Sequence, residues 1–239
     1  MTTIDGSTVL VTGANRGLGQ AFVQQLLERG AARVYAAARR PEEVLLDDPR
    51  VVPLHLDVTD PASVAAAALA ATDVDVVVNN AGISVTDPLL RAEQAGLRSE
   101  LEVNLFGPLA VTAAFADGVA ARRGAIVNVA SVLSWLALGG SYSVSKAALW
   151  SATDALRLEL APRGVQVVGV FVGYVDTEMT AGVTAPKSDP AVVVRQVLDG
   201  LEAGASEVLA DQLSRDVRAT LAQPVEVRYP ALAEAGASA

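Results

Sequence analysis

The stretch that most constrains this chain is Thr12-Gly13-Ala14-Asn15-Arg16-Gly17-Leu18-Gly19, which places three glycines within seven residues. It follows the apolar run Val9-Leu10-Val11 and precedes Leu18, Phe22 and Leu26, spaced four apart, so it reads as strand, tight turn and helix. Glycine carries no Cβ, so the backbone can turn sharply and approach a ligand closely. The turn opens onto a helix N-terminus, whose free N–H groups and positive dipole end favour a pyrophosphate. Gly13, Asn15, Arg16, Gly17, Leu18 and Gly19 are therefore the first candidate ligand contacts.

Strand and helix signals alternate along the rest of the chain, the pattern of a parallel sheet covered on both faces. Strands are predicted at residues 33–38, 51–56, 74–78, 124–131, 165–172 and 208–210, which with the first makes about seven. Helices are predicted at 62–71, 95–122, 142–161, 190–201 and 215–221, and the small, polar tail 231–239 is expected to be disordered. Gly30 should end the first helix as its C′ residue, and His55 should be a packed strand residue. The expected fold is a single-domain, Rossmann-type, doubly wound α/β sheet, and 239 residues suit one such domain.

Composition removes other chemistries. There is no cysteine and only one histidine, so a thiolate or histidine metal cluster is excluded and no metal is expected. A balance of 18 basic to 27 acidic residues gives −9, which argues against nucleic acid or anionic membrane as partners. The first five residues carry no charged or apolar signal region and no apolar run reaches membrane-span length, so a cytoplasmic protein is expected.

Two later motifs carry the chemistry. Residues 74–78 run into Asn79-Asn80-Ala81-Gly82, and residues 124–131 end at Ser131, followed by Tyr142-Ser143-Val144-Ser145-Lys146. Tyrosine and lysine at i and i+4 share one helix face. A free phenol titrates near 10, and a nearby ammonium lowers such a value by about 1–3 units, so Tyr142 is expected to be an activated acid/base. Ser131 can hydrogen-bond the same substrate oxygen.

With the T-G-x-x-x-G-x-G turn, these motifs resemble the short-chain dehydrogenase/reductase family over about residues 8–179. The resemblance implies hydride transfer between a nicotinamide cofactor and a carbonyl or alcohol carbon, with Asn104, Ser131, Tyr142 and Lys146 as the catalytic tetrad. It implies that Asp57 and Val58 lie against the adenine, that Asn80, Ala81 and Gly82 lie beside the cofactor, and that Asn80 ties strands together. It also implies that Asn104 bends its helix, and that Lys146 holds the ribose hydroxyls. Gly173, Val175 and Thr177 match the family's P-G-x-V-x-T turn at the nicotinamide, with Val172 standing in for the proline. Relatives commonly form dimers or tetramers through the Asn104 and Tyr142 helices, so a homodimer or homotetramer is expected.

Where NAD-specific folds carry an acid after the second strand, this chain has Ala38-Arg39, and a guanidinium suits a 2′-phosphate. Arg39, with Arg16, therefore points to NADP. The step from Ser131 to Tyr142 is eleven positions, against about thirteen in the family. The loop 132–141 is expected to form one wall of an apolar substrate pocket, with Trp135 as its largest side chain, helped by Leu136, Leu138, Tyr174 and Met179. A catalytically impaired NADP-binding sensor or scaffold is the rival reading.

Overall fold

The computed structural model describes residues 2–90 and 93–231, so all but the first residue of the tail expected to be disordered lies outside the described residues. Seven strands form one parallel sheet: β1 (Thr8–Thr12), β2 (Arg33–Ala38), β3 (Val51–His55), β4 (Val76–Asn79), β5 (Ala125–Val129), β6 (Gln166–Phe171) and β7 (Glu207–Leu209), in the order β3-β2-β1-β4-β5-β6-β7. The order reverses between β1 and β4, the switch point at whose carboxyl end open α/β sheets bind ligands.

The helices follow the predicted alternation: α1 (Gly17–Glu28), α2 (Pro61–Ala70), α3 (Ala95–Leu101), α4 (Gly107–Ala121), α5 (Ser141–Leu160), α6 (Pro190–Glu202), α7 (Gln212–Ala219) and the short α8 (Val225–Arg228). Side chains alternate across each strand. Val9, Val11, Val76, Val78, Val127, Val168 and Val170 pack with Phe22, Leu26 and Val197 of α1 and α6. Their neighbours Leu10, Val77, Ile126 and Val167 pack with Val64, Val111 and Phe115 of α2 and α4. Burying one such side chain contributes roughly 1.5–3 kcal/mol, and two apolar layers hold the sheet between them.

Three expectations are corrected. The predicted helix 95–122 is interrupted: Glu102–Phe106 forms a π-helical turn between α3 and α4. Taken together, Ala95–Ala121 is long and apolar enough to cross a membrane by length and composition, contrary to the reading of the bare sequence. It occupies the place of a core helix, with Val111, Phe115 and Val119 against the sheet. His55 is exposed rather than packed, because β3 is the sheet's edge, and its Nδ1 lies 3.3 Å from Ser63 Oγ. Pro53 is tolerated in β3 for the same reason.

Candidate active site

The glycine turn is built as its sequence requires. Gly13 (φ +66°) and Gly17 (φ +55°) adopt left-handed backbone, and a Cβ on Gly19 would fall 2.1 Å from the Gly13 carbonyl oxygen. Asn80 pins the turn to β4: its Nδ2 donates to the carbonyls of Thr12 (2.9 Å) and Gly13 (3.2 Å). Thr12 Oγ1 in return accepts from the backbone N–H groups of Asn80 and Ala81, both at 3.0 Å. Helices α2, α6 and α7 are capped by Asp60, Asp189 and Asp211, whereas Arg16, the N-cap residue of α1, makes no side-chain cap. Its first amides are left for an anion.

At one end of the cleft, Arg39 is exposed and has no ion-pair partner among the described residues. Arg16, the second predicted phosphate contact, pairs instead with Glu178 across the mouth of the cleft. Asn15 Nδ2 donates to Glu43 Oε2 at 2.8 Å, and Glu43 also pairs with Arg40 at 2.8 Å. Asp57 accepts from Thr59 N (2.9 Å) and Thr59 Oγ1 (2.7 Å), and these bonds, helped by the charges of Arg39 and His55, hold its carboxyl below the usual range.

The other end gathers the predicted tetrad. Asn104 is fully buried; its Oδ1 accepts from Ile83 N (2.9 Å) and its Nδ2 donates to Ile83 O (2.9 Å) and Ser145 Oγ (3.0 Å). It sits in the π-helical turn, a kind of helix defect frequent at functional sites. A Cβ on Gly82 would lie 3.2 Å from Asn104 Oδ1 and 3.7 Å from Lys146 Nζ, so Asn104, Gly82 and Lys146 meet closely. Lys146 Nζ donates to Val129 O at 2.8 Å and lies 5.7 Å from the centre of the Tyr142 ring. Ser131 Oγ accepts from Leu133 N (3.1 Å) and donates to Val172 O (3.4 Å), and the residue lines the same cleft as Tyr142.

The electrostatics differ from expectation. Burial pushes the Tyr142 phenol up, the charge of Glu100 pushes it further, and the nearby Ser131 hydroxyl opposes both. The predicted lowering by Lys146 does not prevail, because burial also pushes the lysine down, to about 8. The phenol is therefore held protonated.

A stability prediction follows. Between about pH 8 and pH 10 the unfolded chain keeps a proton on Lys146 that the folded chain has lost, so stability should rise with pH, by on the order of 3 kcal/mol at most. Above about pH 10 the sign reverses, because the folded protein retains the Tyr142 proton after unfolded tyrosines have lost theirs. Urea unfolding at about pH 8 and about pH 10 should show the rise in the wild type and a flatter profile in Lys146→Met. Equal profiles in the two proteins would refute it.

The turn after β6 is anchored despite its missing proline. Gly173 N donates to Asp211 Oδ2 (2.6 Å), while Asp211 Oδ1 caps α7 through Ser214 N (2.7 Å). Val175 is buried and bridges to Ser188, and Thr177 Oγ1 donates to Val175 O at 3.4 Å. Reading the sequence missed Asp211, since nothing local links it to residue 173. Asn79 was also passed over: its Nδ2 reaches Asn128 Oδ1 (2.9 Å) and Thr112 Oγ1 (3.1 Å), tying β4 to β5 and α4.

The loop 132–141 forms part of the wall, but not through Trp135. That indole is 4% exposed and faces away from the cleft, stacked on Phe171 (4.2 Å between ring centres) and edge-on to Trp150 (5.9 Å). Leu133, Leu136 and Leu138 face the cleft instead, with Tyr174 and Met179 opposite. The predicted tight return is present: Gly140 has φ +54°, and a Cβ there would fall 2.5 Å from Asp87 O.

All these groups line one cleft of about 810 Å³, which runs from Arg39 and Asp57 past the glycine turn to Ser131, Tyr142 and Lys146. Its donor set fits a dinucleotide: uncapped helix amides at the middle, a cation at one end, and a lysine and a phenol at the other. Among the described residues no cluster of metal-binding side chains exists.

A doubly wound parallel sheet carrying this cleft at its switch point is a dinucleotide-binding fold of the Rossmann type. The profile of the short chain dehydrogenase family matches residues 7–188. The chain belongs to the short-chain dehydrogenase/reductase family. It is 40% identical over 183 residues to the short-chain dehydrogenase PC-15 of Penicillium crustosum, covering 71% of this chain and 66% of that protein's length. It is 35% identical over 189 residues to the 3-oxoacyl-(acyl-carrier-protein) reductase FabG of Vibrio cholerae, covering 74% of this chain and 77% of that one. Among solved structures, a short chain dehydrogenase from Burkholderia cenocepacia in complex with NADP superposes with a TM-score of 0.92 at 41% identity, covering 97% of this chain and 99% of the other.

Proposed function

We propose that this protein is an NADP-dependent oxidoreductase that reduces apolar ketones or aldehydes, or oxidises the corresponding alcohols. The meeting of Ser131, Tyr142 and Lys146 at one end of a cleft whose far end carries the exposed Arg39 supports this reading most directly. NADP, bound along the cleft, would supply and accept the hydride.

Tyr142 passes the proton to or from the substrate oxygen, and its raised pKa keeps it in the donor form that carbonyl reduction requires. Ser131 hydrogen-bonds the same oxygen and stabilises its developing charge. Lys146 holds the ribose hydroxyls, and Asn104 fixes Gly82–Ile83 beside it. Leu133, Leu136, Leu138, Tyr174 and Met179 give the substrate side an apolar lining, which favours an uncharged, hydrophobic carbonyl. NADPH consumption measured with a panel of apolar ketones tests the activity; no turnover with any of them, while NADPH binds, would favour the sensor reading.

Cofactor choice gives a separate expectation. A charge-assisted contact between Arg39 and the 2′-phosphate contributes roughly 1.5–3 kcal/mol, so NADPH should bind about ten- to a hundredfold more tightly than NADH. Ala38→Asp combined with Arg39→Ser should reverse the preference, because a carboxylate accepts from free ribose hydroxyls and repels the phosphate. Calorimetric Kd values for both cofactors decide it; equal affinities in the unmodified protein would remove the argument.

A further inference from the structure

Among the described residues Glu100 is the one fully buried acidic side chain, and it lies on α3. Its Oε1 accepts from the backbone N–H groups of Val85 (2.6 Å) and Thr86 (3.1 Å), and its Oε2 has no partner among the described residues. An unpaired buried carboxylate is costly, and an apolar residue of similar size would pack there more cheaply. The two bonds it makes show what the carboxylate accomplishes. Ile83, Ser84 and Thr86 line the cleft, and Thr86 holds a left-handed backbone (φ +60°) that a non-glycine residue adopts only under constraint. The next residue continues the chain of contacts: Asp87 N donates to Ser141 Oγ (2.9 Å), and Ser141 N donates to Asp87 O (2.9 Å). Ser141 is the first residue of α5, and Tyr142 is the second. A continuous set of hydrogen bonds thus runs from Glu100 through the 83–87 wall to the residue that precedes the phenol.

We propose that Glu100 is a positioning residue for Tyr142, fastening the cleft wall at Val85 and Thr86 to α3 and thereby setting the start of α5. The proposal rests on the reading of Tyr142 as the proton donor. It goes beyond that reading by naming a residue outside the tetrad that the site needs. Glu100 also acts through its charge. The groups facing the phenol are Glu100 from α3, Lys146 from α5 and Ser131 from the end of β5, with Asp87 held beside the α5 N-terminus. Burial raises the phenol first and Glu100 second.

Two substitutions separate shape from charge. Glu100→Gln keeps the size and an acceptor oxygen for both backbone donors but removes the charge. The tyrosinate absorbance of Tyr142, obtained by subtracting the Tyr142→Phe variant, should then titrate about one pH unit lower. The alkaline limb of ketone reduction should move down with it, because the phenol loses its proton sooner, while KM stays within about twofold. Glu100→Leu removes the backbone bonds too and should raise KM for ketone about tenfold or more as the wall comes loose. An unchanged tyrosinate titration in Glu100→Gln, together with a wild-type KM in Glu100→Leu, would make Glu100 an ordinary core residue and overturn the proposal. Should Glu100→Leu fail to fold, the near-isosteric Gln variant still decides through its titration and pH profile. The titration needs no turnover: if it shifts while Tyr142→Phe remains active, the proton-donor reading fails and the placement of Glu100 stands.

Discussion

Tyr142→Phe is expected to lower ketone reduction by about a hundred- to ten-thousandfold, the range over which a positioned acid/base contributes. The substitution removes only the phenolic oxygen, and the ring keeps its place on α5, 5.7 Å from the Lys146 ammonium. The glycine turn and Arg39, proposed above as the cofactor contacts, are untouched, so NADPH affinity should change by no more than a few-fold. The loss should therefore fall on kcat, the signature of a group that acts in the transition state. Lys146→Met should differ by weakening NADPH binding as well, given the role at the ribose proposed for the lysine. Steady-state kinetics and NADPH titration on both variants provide the check. A Tyr142→Phe enzyme with more than half the wild-type rate would show that the substrate oxygen takes its proton elsewhere.

Trp135→Ala should be the most damaging change outside the tetrad, and it should act on stability. The indole stacks on Phe171 at 4.2 Å, meets Trp150 edge-on at 5.9 Å and lies beneath the Arg218 guanidinium at 5.6 Å. It joins the loop 132–141, β6, α5 and α7 into a third apolar cluster. Emptying such a site costs about 3–5 kcal/mol, which at this chain length lowers Tm by roughly 10 °C. Leu138, 73% exposed on the same loop, gives the contrast. Leu138→Ala should leave stability within about 0.5 kcal/mol and raise KM for apolar ketones. Thermal unfolding of the two variants reads the difference directly; equal Tm values would mean that Trp135 is not the keystone of its cluster.

Much of this protein is legible from local pattern. The glycines at 13, 17 and 19 state their own reason, because left-handed backbone and a 2.1 Å approach admit no Cβ. Strand alternation sorted the valines of β1, β4, β5 and β6 into two layers, and the four-residue step from Tyr142 to Lys146 put both on one face of α5. The strand tie at Asn80 is implied by the family resemblance, and its amide holds Thr12 and Gly13. Apart from Asn80, whose partners lie 67–68 positions away, each of these properties depends on a residue and its immediate neighbours in the chain.

Other features depend on atoms far apart in sequence. The run 95–122 has the periodicity of one helix, yet it winds into a π-helical turn where Asn104 bonds Ile83 and where Gly107 packs so closely on Val58 that a Cβ would approach its Cγ2 to 2.7 Å. Trp135 and Leu136 are adjacent and equally apolar, and only the packing of β6 and α5 decides that one enters the core while the other faces the cleft. A proton affinity is less local still. The tyrosine–lysine spacing announced a lowered phenol, but burial of both groups and the charge of Glu100 raise the one and depress the other. Steric limits and periodicity act over a few residues, so the strands, the glycine turn and the shared helix face of Tyr142 and Lys146 are written in the chain itself. Which side chains are desolvated, what faces them, and hence which proton each one keeps depend on the packing of elements far apart in the chain.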